Sequence, residues 1–345
     1  MTYLRHVSFA ATLALLPTSA SALDGVVTSI KPIHSLVAGV MGDTGTPHLL
    51  VRGAASPHTF ALRPSDARAL ENAKLVFWIG PMLETALDGA IDTLGAGATV
   101  VELADIHDLV KLPLREGGAF ETHDHDHEEH GEHEHDEAGD HDGHDDHEDD
   151  HHADAHDDDD HDHDGEHHAH EGGFDAHLWL DPQNAAVMVG EIAEALTAAD
   201  PGNAATYAAN AGNLTARLES LTTELAAELE PVKDRPFIVF HDAYHYFENR
   251  FGLAAAGSIT VSPDVLPGAE RLAEIRAKIA QLGATCVFSE PQFESKLVTV
   301  ATEGTGAASG VLDPLGAELE DGPELYFELL RGMAGSLHDC LSQAG

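Results

Sequence analysis

NAATYAANAGNLTARLESLTTELAAELE (residues 203–230) is the stretch that organises the rest of the chain. Its leucines recur every three or four residues from Leu214 to Leu229, which is the spacing of one apolar helix face. A proline lies within two residues of each end, where helices begin and end. About 28 residues of helix extend about 42 Å, which is long for a connection inside one domain. We therefore predict a linking helix between one domain at 23–202 and a second at 231–345.

On both sides of this helix, short apolar runs alternate with segments of helical pattern. This alternation is typical of α/β units around a largely parallel sheet. We therefore expect two α/β lobes, each a mostly parallel sheet flanked by helices. The predicted strands are Val26–Ile30, Leu75–Ile79, Thr99–Leu103, Leu178–Leu180, Pro236–Phe240, Cys286–Ser289 and Gly310–Leu312, with a further short strand at Thr260–Pro263. The clearest helices among them are Ser65–Asn72, Pro81–Leu94 and Pro267–Leu282.

The N-terminal segment, residues 1–22, has the composition of a secretory signal peptide. Arg5 supplies a positive end, Val7–Leu16 a short apolar stretch, and Ala20-Ser21-Ala22 a small-residue cleavage site. The apolar stretch is too short to span a bilayer. We predict cleavage near Ala22 and an exported chain without direct membrane insertion.

A tract at 121–171 contains 17 histidines and 25 acidic residues but no lysine or arginine. It has no Leu, Ile, Val or aromatic residue to bury, so we predict a disordered loop at 118–173. A solvated acidic spacer would not need one histidine in three, whereas His-rich tracts bind metal ions. We predict an auxiliary metal loop, acting as an antenna, buffer or sensor, and a selective site elsewhere. Its histidines are His123, His125, His127, His130, His133, His135, His141, His144, His147, His151, His152, His156, His161, His163, His167, His168 and His170.

The charge balance limits the classes of partner. The formal net charge is −44, and 36 acidic against 17 basic residues remain when the tract is left out. Such a surface repels nucleic acid and anionic lipid and attracts cations. We therefore expect no nucleic-acid partner. No clear oligomerisation signal is present, so we expect a monomer.

The chain has two cysteines, Cys286 and Cys340. In an exported protein an even pair most simply forms a disulfide. A cysteine-ligated metal site is the weaker interpretation, because neither residue has another Cys or a His at ligand spacing.

Three histidines lie in distinctive segments: His58 in SPHTFALRPSD, His177 in DAHLWLDP and His241 in VFHDAYHYF. His241 directly follows a predicted strand, where ligands bind in open α/β sheets. Three neutral imidazoles can hold Zn²⁺ and leave a fourth position for a carboxylate or water. Carboxylates that could orient these rings are Asp66, Asp175, Asp181 and Asp242.

These segments closely resemble those of the periplasmic zinc-binding subunit of bacterial ABC importers, within the metal-binding cluster of solute-binding proteins. The matching stretches follow the family's order from near the mature N-terminus almost to the C-terminus. They are SIKPIHSLVAGVMG (29–42), SPHTFALRPSD, DAHLWLDPQNA, VFHDAYHYFENRFGL, FSEPQF and VLDPLG. An acidic, His-rich tract before the second ligand segment is also typical of the zinc branch.

The resemblance implies two lobes joined by one long rigid helix, with Zn²⁺ bound between them and delivered to an ABC permease membrane subunit for high-affinity uptake. It implies ligand roles for His58, His177 and His241, with Asp313 as a candidate fourth ligand. The manganese or iron branch normally has a carboxylate at the third of these positions, so His241 favours zinc. Cys286 and Cys340 match a disulfide found in part of the zinc branch.

The chain departs from the family pattern at two positions. Pro57 replaces a glutamate that some relatives have before the first ligand, which leaves the fourth position to water or Asp313. His245 stands where glycine is usual, and we favour a solvent-facing loop residue over a helper that hands over metal. We favour a hydrogen-bonding role for Glu290 over a ligand role, and we interpret His34 as a packing histidine.

Other functions share some of these features. A manganese or iron receptor of the same family is the nearest alternative. A zinc-dependent hydrolase would also use three histidines and an open position, but it needs a general base, for which Glu290 is the only near candidate. A stand-alone zinc buffer or adhesin would need no permease. We expect a receptor and no enzyme.

Overall fold

The computed structural model describes residues 22–115, 120, 173–260, 268–283, 286–293 and 296–343. The predicted signal peptide, up to residue 21, lies outside the described residues. The tract at 121–171 lies outside them as well, and so do its 17 histidines.

The first lobe is built on a four-stranded sheet in which all paired strands are parallel, in the order β2-β1-β3-β4. Its strands are β1 (Val26–Thr28), β2 (His48–Leu49), β3 (Leu75–Trp78) and β4 (Thr99–Glu102). Its helices are α1 (Lys31–Met41), α2 (Pro64–Glu71), α3 (Thr85–Leu94) and α4 (Pro182–Ala199). The second strand along the chain adds on one side of β1 and the third on the other, so a crevice forms beyond the ends of β1 and β3.

The second lobe repeats this plan with the parallel order β6-β5-β7-β8. Its strands are β5 (Phe237–His241), β6 (Ala255–Thr260), β7 (Cys286–Ser289) and β8 (Ala308–Val311). Its helices are α6 (His245–Phe251), α7 (Ala269–Leu282), α8 (Lys296–Thr302) and α9 (Leu325–Ser342). Two parallel-sheet α/β lobes confirm the predicted fold class, and β5 and β7 flank the corresponding crevice of this lobe.

The long helix α5 (Ala204–Leu229) has 26 residues and joins the lobes. It packs against α1 and α4 of the first lobe and α9 of the second. Its apolar stripe is buried as the spacing predicted, at Leu214, Leu218, Leu221, Leu225 and Leu229. Neither α5 nor any other helix in the described ranges combines the length and apolar character needed to cross a membrane.

Some predicted strands were wrong. Leu178–Leu180 is a buried 3₁₀ turn, because three apolar residues fit a buried turn as well as a strand. In the region of the predicted strand at Thr260–Pro263, the structure has β6 ending at Thr260, and the next seven residues lie outside the described part. The two-residue strand β2 was missed, since so short a run carries no periodicity.

Cys286 and Cys340 form the predicted disulfide. It fastens β7 to the C-terminal turns of α9, and both residues are buried. Because β7 leads directly to Glu290, the disulfide fixes the strand from which that carboxylate extends.

Candidate metal centre

His241 is the last residue of β5, and Glu290 follows the adjacent strand β7. Parallel strands end at the same edge, so these two side chains meet at the crevice of the second lobe. The imidazole Nδ1 of His241 lies 2.7 Å from Oε1 of Glu290, and its backbone N–H donates to the same oxygen at 3.2 Å. A carboxylate at Nδ1 favours the tautomer in which Nε2 carries the free lone pair, which is the form that binds a metal.

His177 has the same arrangement with a different carboxylate. Its Nδ1 lies 2.7 Å from Oδ1 of Asp175, which also accepts from the His177 backbone N–H at 3.0 Å. The chain then turns into α4, whose first turn is capped by Asp181 accepting from the Gln183 N–H at 2.8 Å. Asp175 therefore orients the ring, whereas Asp181 ends the turn and anchors the helix.

His58 comes from the loop between β2 and α2 and supplies the third ring. Its ring centroid lies 5.7 Å from that of His177 and 6.0 Å from that of His241, and the latter two are 5.3 Å apart. Asp66 does not orient it, because the Asp66 carboxylate pairs with His48 at 3.0 Å. Two loops and one strand end thus bring the three predicted histidines together.

The three histidines converge through their ring nitrogens. One nitrogen from each lies within 4.8 Å of the other two, and no other such His, Cys, Asp and Glu group occurs among the described residues. The Nε2 atoms of His177 and His241 are 3.4 Å apart. Two ligands about 2.0–2.1 Å from a tetrahedral zinc ion stand about 3.4 Å apart, so this spacing fits zinc. Two neutral rings that present lone pairs to each other at this distance repel, and a zinc ion between them would relieve that repulsion.

The protonation equilibria of these rings follow from burial and charge. Burial, and then the nearby rings of His177 and His241, lower the pKa of His58 to about 2, so its imidazole stays neutral. Burial also acts to lower the pKa of His241, but the carboxylates of Glu290, Asp242 and Asp175 outweigh it and raise that pKa. The pocket therefore keeps one ligand neutral and favours positive charge at another.

Apolar side chains wall the pocket around these nitrogens: Pro57, Trp179, Phe293, Pro314 and Leu315. The Trp179 ring packs 5.3 Å from His177, and its indole N–H donates to the Pro314 carbonyl at 2.8 Å. Phe293 contacts His241 edge to face at 5.8 Å. Such walls exclude water and strengthen the attraction between the ligands and a cation.

Asp313 lies outside the group of converging nitrogens. Its Oδ1 accepts from the Gln292 side chain at 2.9 Å and from the backbone N–H groups of Leu315 and Gly316 at 3.1 and 3.0 Å. Its Oδ2 accepts from the Ala317 N–H at 2.6 Å. The carboxylate thus shapes the loop that carries Pro314 and Leu315 into the pocket.

The remaining histidines that the sequence singled out lie away from this group. His34 is 6% exposed on α1 and contacts the Pro47 carbonyl at 3.2 Å, which suits a packing role. His245 begins α6 half-buried, with its Nδ1 inside the protein, so the expected solvent-facing position was wrong.

Arg115 was not among the predicted site residues, and its guanidinium binds Asp242, the residue after His241. Tyr246 was not among them either, and its hydroxyl donates to the Asp175 carbonyl at 2.8 Å. Only the tertiary structure brings these side chains beside the carboxylates and strand ends of the centre. A search for basic residues that flank the acidic tract would have found Arg115.

Known proteins resemble this chain over nearly its whole length. The profile of the ZnuA family, described as zinc-uptake complex component A, periplasmic, matches residues 26–340. The high-affinity zinc uptake system protein ZnuA of Brucella suis biovar 1 (strain 1330) is 58% identical over 320 residues, covering 93% of this chain and 92% of that protein. The protein of the same name from Paracoccus denitrificans (strain Pd 1222) is 43% identical over 331 residues, covering 95% and 94%.

Among solved structures, a crystal structure of ZnuA superposes with a TM-score of 0.69 at 24% identity. The match covers 93% of this chain and all of that one. At this level of identity the likeness concerns the fold, which the two chains share over nearly their whole length.

Proposed function

This chain belongs to the ZnuA family of periplasmic zinc-uptake components, and from that premise we propose that it captures Zn²⁺ outside the inner membrane. It then delivers the ion to an ABC permease for high-affinity uptake. The main support for this proposal is that His58, His177 and His241 converge in one apolar-walled pocket between the lobes. We propose these three imidazoles as the ligands of the transported ion.

The ligand set favours zinc over manganese. Imidazole nitrogen suits zinc, whereas manganese prefers carboxylate, carbonyl and water oxygen. The two carboxylates closest to the centre, Asp175 and Glu290, hold the Nδ1 atoms of His177 and His241 at 2.7 Å. In that role they compensate the charge of the ion through the rings instead of binding it directly.

We propose water as the fourth ligand. Asp313, the other candidate, makes four hydrogen bonds to its own loop and to Gln292. Moving that carboxylate to the ion would leave three backbone N–H groups without their acceptor, at a cost of about 1–3 kcal/mol for each one buried. A water molecule completes a tetrahedral site without that cost.

Capture and delivery need no chemical step on the ion. Glu290 lines the pocket, and its Oε1 accepts two hydrogen bonds from His241, whereas its buried Oε2 has no hydrogen-bond partner among the described residues. We propose that Glu290 orients the His241 ring and does not abstract a proton from a bound water. We propose a receptor without catalytic activity, and chelator-sensitive hydrolysis of ester substrates by the purified protein would contradict this.

The remaining parts of the chain fit the same function. We propose that the first 22 residues direct export and are removed near Ala22, and that the mature receptor is a monomer. The 17 histidines of the tract serve as an auxiliary zinc trap or sensor. We propose residues 203–230, which include α5, as the connection between a first lobe at 23–202 and a second lobe at 231–345.

Calorimetric zinc titration of three proteins tests the proposal: the mature chain, a version lacking 121–171, and that deletion with His58, His177 and His241 changed to alanine. We expect the deletion to keep one tight site and the triple change to abolish it. A deletion with His107→Ala and His338→Ala, two histidines away from the pocket, is the matched control and should bind as before. Loss of tight binding on deletion of 121–171 alone would place the selective site in the tract and refute the assignment.

A competition series separates the nearest alternative. Zinc should displace manganese from the deletion protein at equal concentrations, because all three protein ligands are nitrogen. Preference for manganese would contradict the proposed cargo while leaving the site itself in place.

A further inference from the structure

The two chain segments that flank residues 116–172 pair with each other, and we refer to Leu112–Arg115 together with Phe174–Asp175 as the stem. Pro113 and Phe174 form an antiparallel bridge, and the Asp175 N–H donates to the Leu112 carbonyl at 2.9 Å. Asp175 is also the carboxylate that orients His177. One end of the stem therefore reaches the metal centre directly.

The stem is fastened to the second lobe by Tyr246 of α6. The Tyr246 hydroxyl donates to the Asp175 carbonyl at 2.8 Å and accepts from the Leu112 N–H at 3.0 Å. Because the ring is fully buried, both bonds are shielded from water. A single side chain of the second lobe thus holds both strands of the stem.

Arg115 makes the second and stronger connection. Its guanidinium binds Asp242 through Nε at 3.0 Å and through an Nη2 contact to the other carboxylate oxygen. It also binds Glu248 through Nη1 at 2.7 Å and Nη2 at 3.0 Å. Its side chain is 17% exposed, against 12% for Asp242 and 3% for Glu248. Two forked pairs at one partly buried cation fix direction as well as distance.

Both partners of Arg115 connect to strand ends of the second lobe, Asp242 by its position and Glu248, on α6, by a hydrogen bond. Asp242 directly follows His241 at the end of β5, and Glu248 also accepts from the Ala255 N–H, where β6 begins, at 2.7 Å. Arg115 therefore ties the stem of the first lobe to the strand end that carries a ligand of the metal.

We propose that Arg115 is a positioning residue for the metal centre, which holds the His241 strand end against the stem and thereby sets how long Zn²⁺ stays bound. This inference rests on the proposed function. Through the stem, Asp175 and His177 belong to the same unit as Arg115. The connection links two of the three ligands across the lobes without touching the ion.

Charge and geometry predict opposite effects of removing Arg115. A cation near the pocket repels Zn²⁺, so loss of its charge alone would tighten binding. Loss of its two forked pairs would instead free the His241 strand end and leave Asp242 and Glu248 without their shared partner, which would weaken binding. The sign of the change therefore identifies the role.

The test measures zinc release from the full chain by stopped flow into excess chelator, with association rates measured separately. The variants are Arg115→Gln, which removes charge and geometry, and Arg115→Lys, which keeps the charge but cannot form two forked pairs. Arg331→Gln is the matched control, because Arg331 also forks onto a carboxylate, Glu224, at 2.8 and 2.9 Å, but on the exposed surface between α9 and α5. The full chain with His58, His177 and His241 changed to alanine lacks the proposed site. Its release curve therefore shows the zinc that is released from the other histidines, and this phase is subtracted from the curves of the other proteins.

We expect zinc release to be about tenfold faster in both Arg115 variants, with association little changed. Mutation of residues that support metal ligands typically lowers metal affinity by about this factor. The visible spectrum of bound Co²⁺ should change in both variants, whereas Arg331→Gln should match the wild type in rates and spectrum. Unchanged release, or tighter binding in Arg115→Gln with wild-type behaviour in Arg115→Lys, would overturn the inference. If Arg115→Gln does not fold, Arg115→Lys decides alone.

The two proposals fail in different ways. If the wild type and the triple histidine variant release zinc identically, the proposed metal centre is wrong. If they differ while both Arg115 variants behave as wild type, the centre stands and the positioning role is wrong.

Discussion

At the scale of single residues, the proposed metal centre is built around two imidazole–carboxylate pairs. Asp175 and Glu290 each accept from the backbone N–H and the Nδ1 of the histidine that they orient. Each carboxylate therefore fixes the tautomer and the ring direction together. Without that constraint a histidine ring rotates freely about its side-chain bonds, and three rings rarely converge.

We predict that Glu290→Gln weakens zinc binding about 10- to 100-fold. Glutamine keeps the size of the side chain but removes the negative charge that supports His241 as a ligand. The measurement is zinc affinity by competition with a chromophoric chelator, in the chain lacking 121–171. Glu303→Gln, on the exposed surface beside Arg276, is the matched control, and an equal loss in both variants would contradict the prediction.

Glu84 is a buried carboxyl group away from the centre. Its oxygens accept from the backbone N–H groups of Ile79 and Gly80 at 3.3 and 2.9 Å, at the end of β3. Burial, with a smaller contribution from the Glu102 carboxylate, raises the pKa of Glu84 to about 7 against the backbone hydrogen bonds that lower it. The folded protein therefore holds a proton there that the unfolded chain releases near its ordinary pKa of about 4.5.

This shift predicts a pH dependence with a definite sign. Between pH 4.5 and about 7 the folded state binds more protons at Glu84, so the free energy of unfolding falls as pH rises, by about 3 kcal/mol in all. Glu84→Gln cannot ionise, so its stability relative to the wild type should improve from roughly pH 5 to pH 8. Urea unfolding at both pH values in the presence of chelator measures the difference. Glu224→Gln, an exposed carboxylate whose pKa Arg331 lowers, should show no such gain, and a constant difference for Glu84→Gln would refute the prediction.

At the scale of elements, α5 shows how a regular pattern becomes stability. Its leucine stripe faces helices of both lobes, and each leucine in it is at most 4% exposed. Full burial of one such side chain contributes about 1.5–3 kcal/mol. The pattern fixes the helix and its buried face, but the sequence alone does not say which helices cover that face.

We predict that Leu221→Ala lowers the free energy of unfolding by about 2–5 kcal/mol, because it opens a cavity among packed helices. Glu219→Ala, an exposed position on the same helix, should change it by less than about 0.5 kcal/mol. Chemical denaturation of the zinc-free proteins provides the comparison. Similar small effects at both positions would mean that the stripe is not buried as described.

The pattern was less informative for short elements. The run Leu178–Leu180 is apolar because it is buried beneath the centre, where Trp179 packs against His177, and its 3₁₀ turn lets Asp181 cap α4. Burial explains why this segment is apolar, whereas the Asp181 cap of α4 explains why its backbone forms a turn and not a strand. Sequence periodicity cannot separate these two causes over three residues.

At the scale of the whole molecule, the lobes share one apolar core that includes α5 and residues of both sheets. Buried polar bonds also cross between them. Lys31 of α1 donates to the Leu319 carbonyl at 2.7 Å, and Tyr326 of α9 donates to the Trp179 carbonyl at 2.6 Å. A wide hinge opening would break these bonds and expose the core, so we expect only small movements on zinc binding.

Double electron–electron resonance on the full chain tests this expectation. Spin labels at Asp92→Cys on α3 and Ala277→Cys on α7 report the separation of the lobes, and both native cysteines are already paired. We expect one distance peak whose mean shifts by less than its width when zinc is added. The single-label proteins exclude intermolecular pairs, and two resolved peaks would reveal the hinge motion that the shared core argues against.

Composition and local periodicity in the sequence predict several features of this protein. The strand and helix alternation predicted two α/β lobes, the leucine spacing predicted α5, and the export signal made a Cys286–Cys340 disulfide the simplest pairing. The segments around His58, His177 and His241 predicted a nitrogen-rich zinc site because their motifs are long and distinctive. The strand pattern and the α5 stripe are carried by neighbours in sequence, where spacing reports which residues share a face, whereas the ligand roles follow from the resemblance of their segments to a family.

The side chains that support that site become visible in the three-dimensional structure and not in the sequence pattern. Asp242 was expected to orient a histidine but binds Arg115, while Asp313 was a candidate ligand but holds its own loop. Arg115 and Glu248 are 133 residues apart and meet at 2.7 Å. Contacts between carboxylates, cations and N–H groups depend on how strand ends and loops meet in space, and a linear pattern contains no measure of that distance.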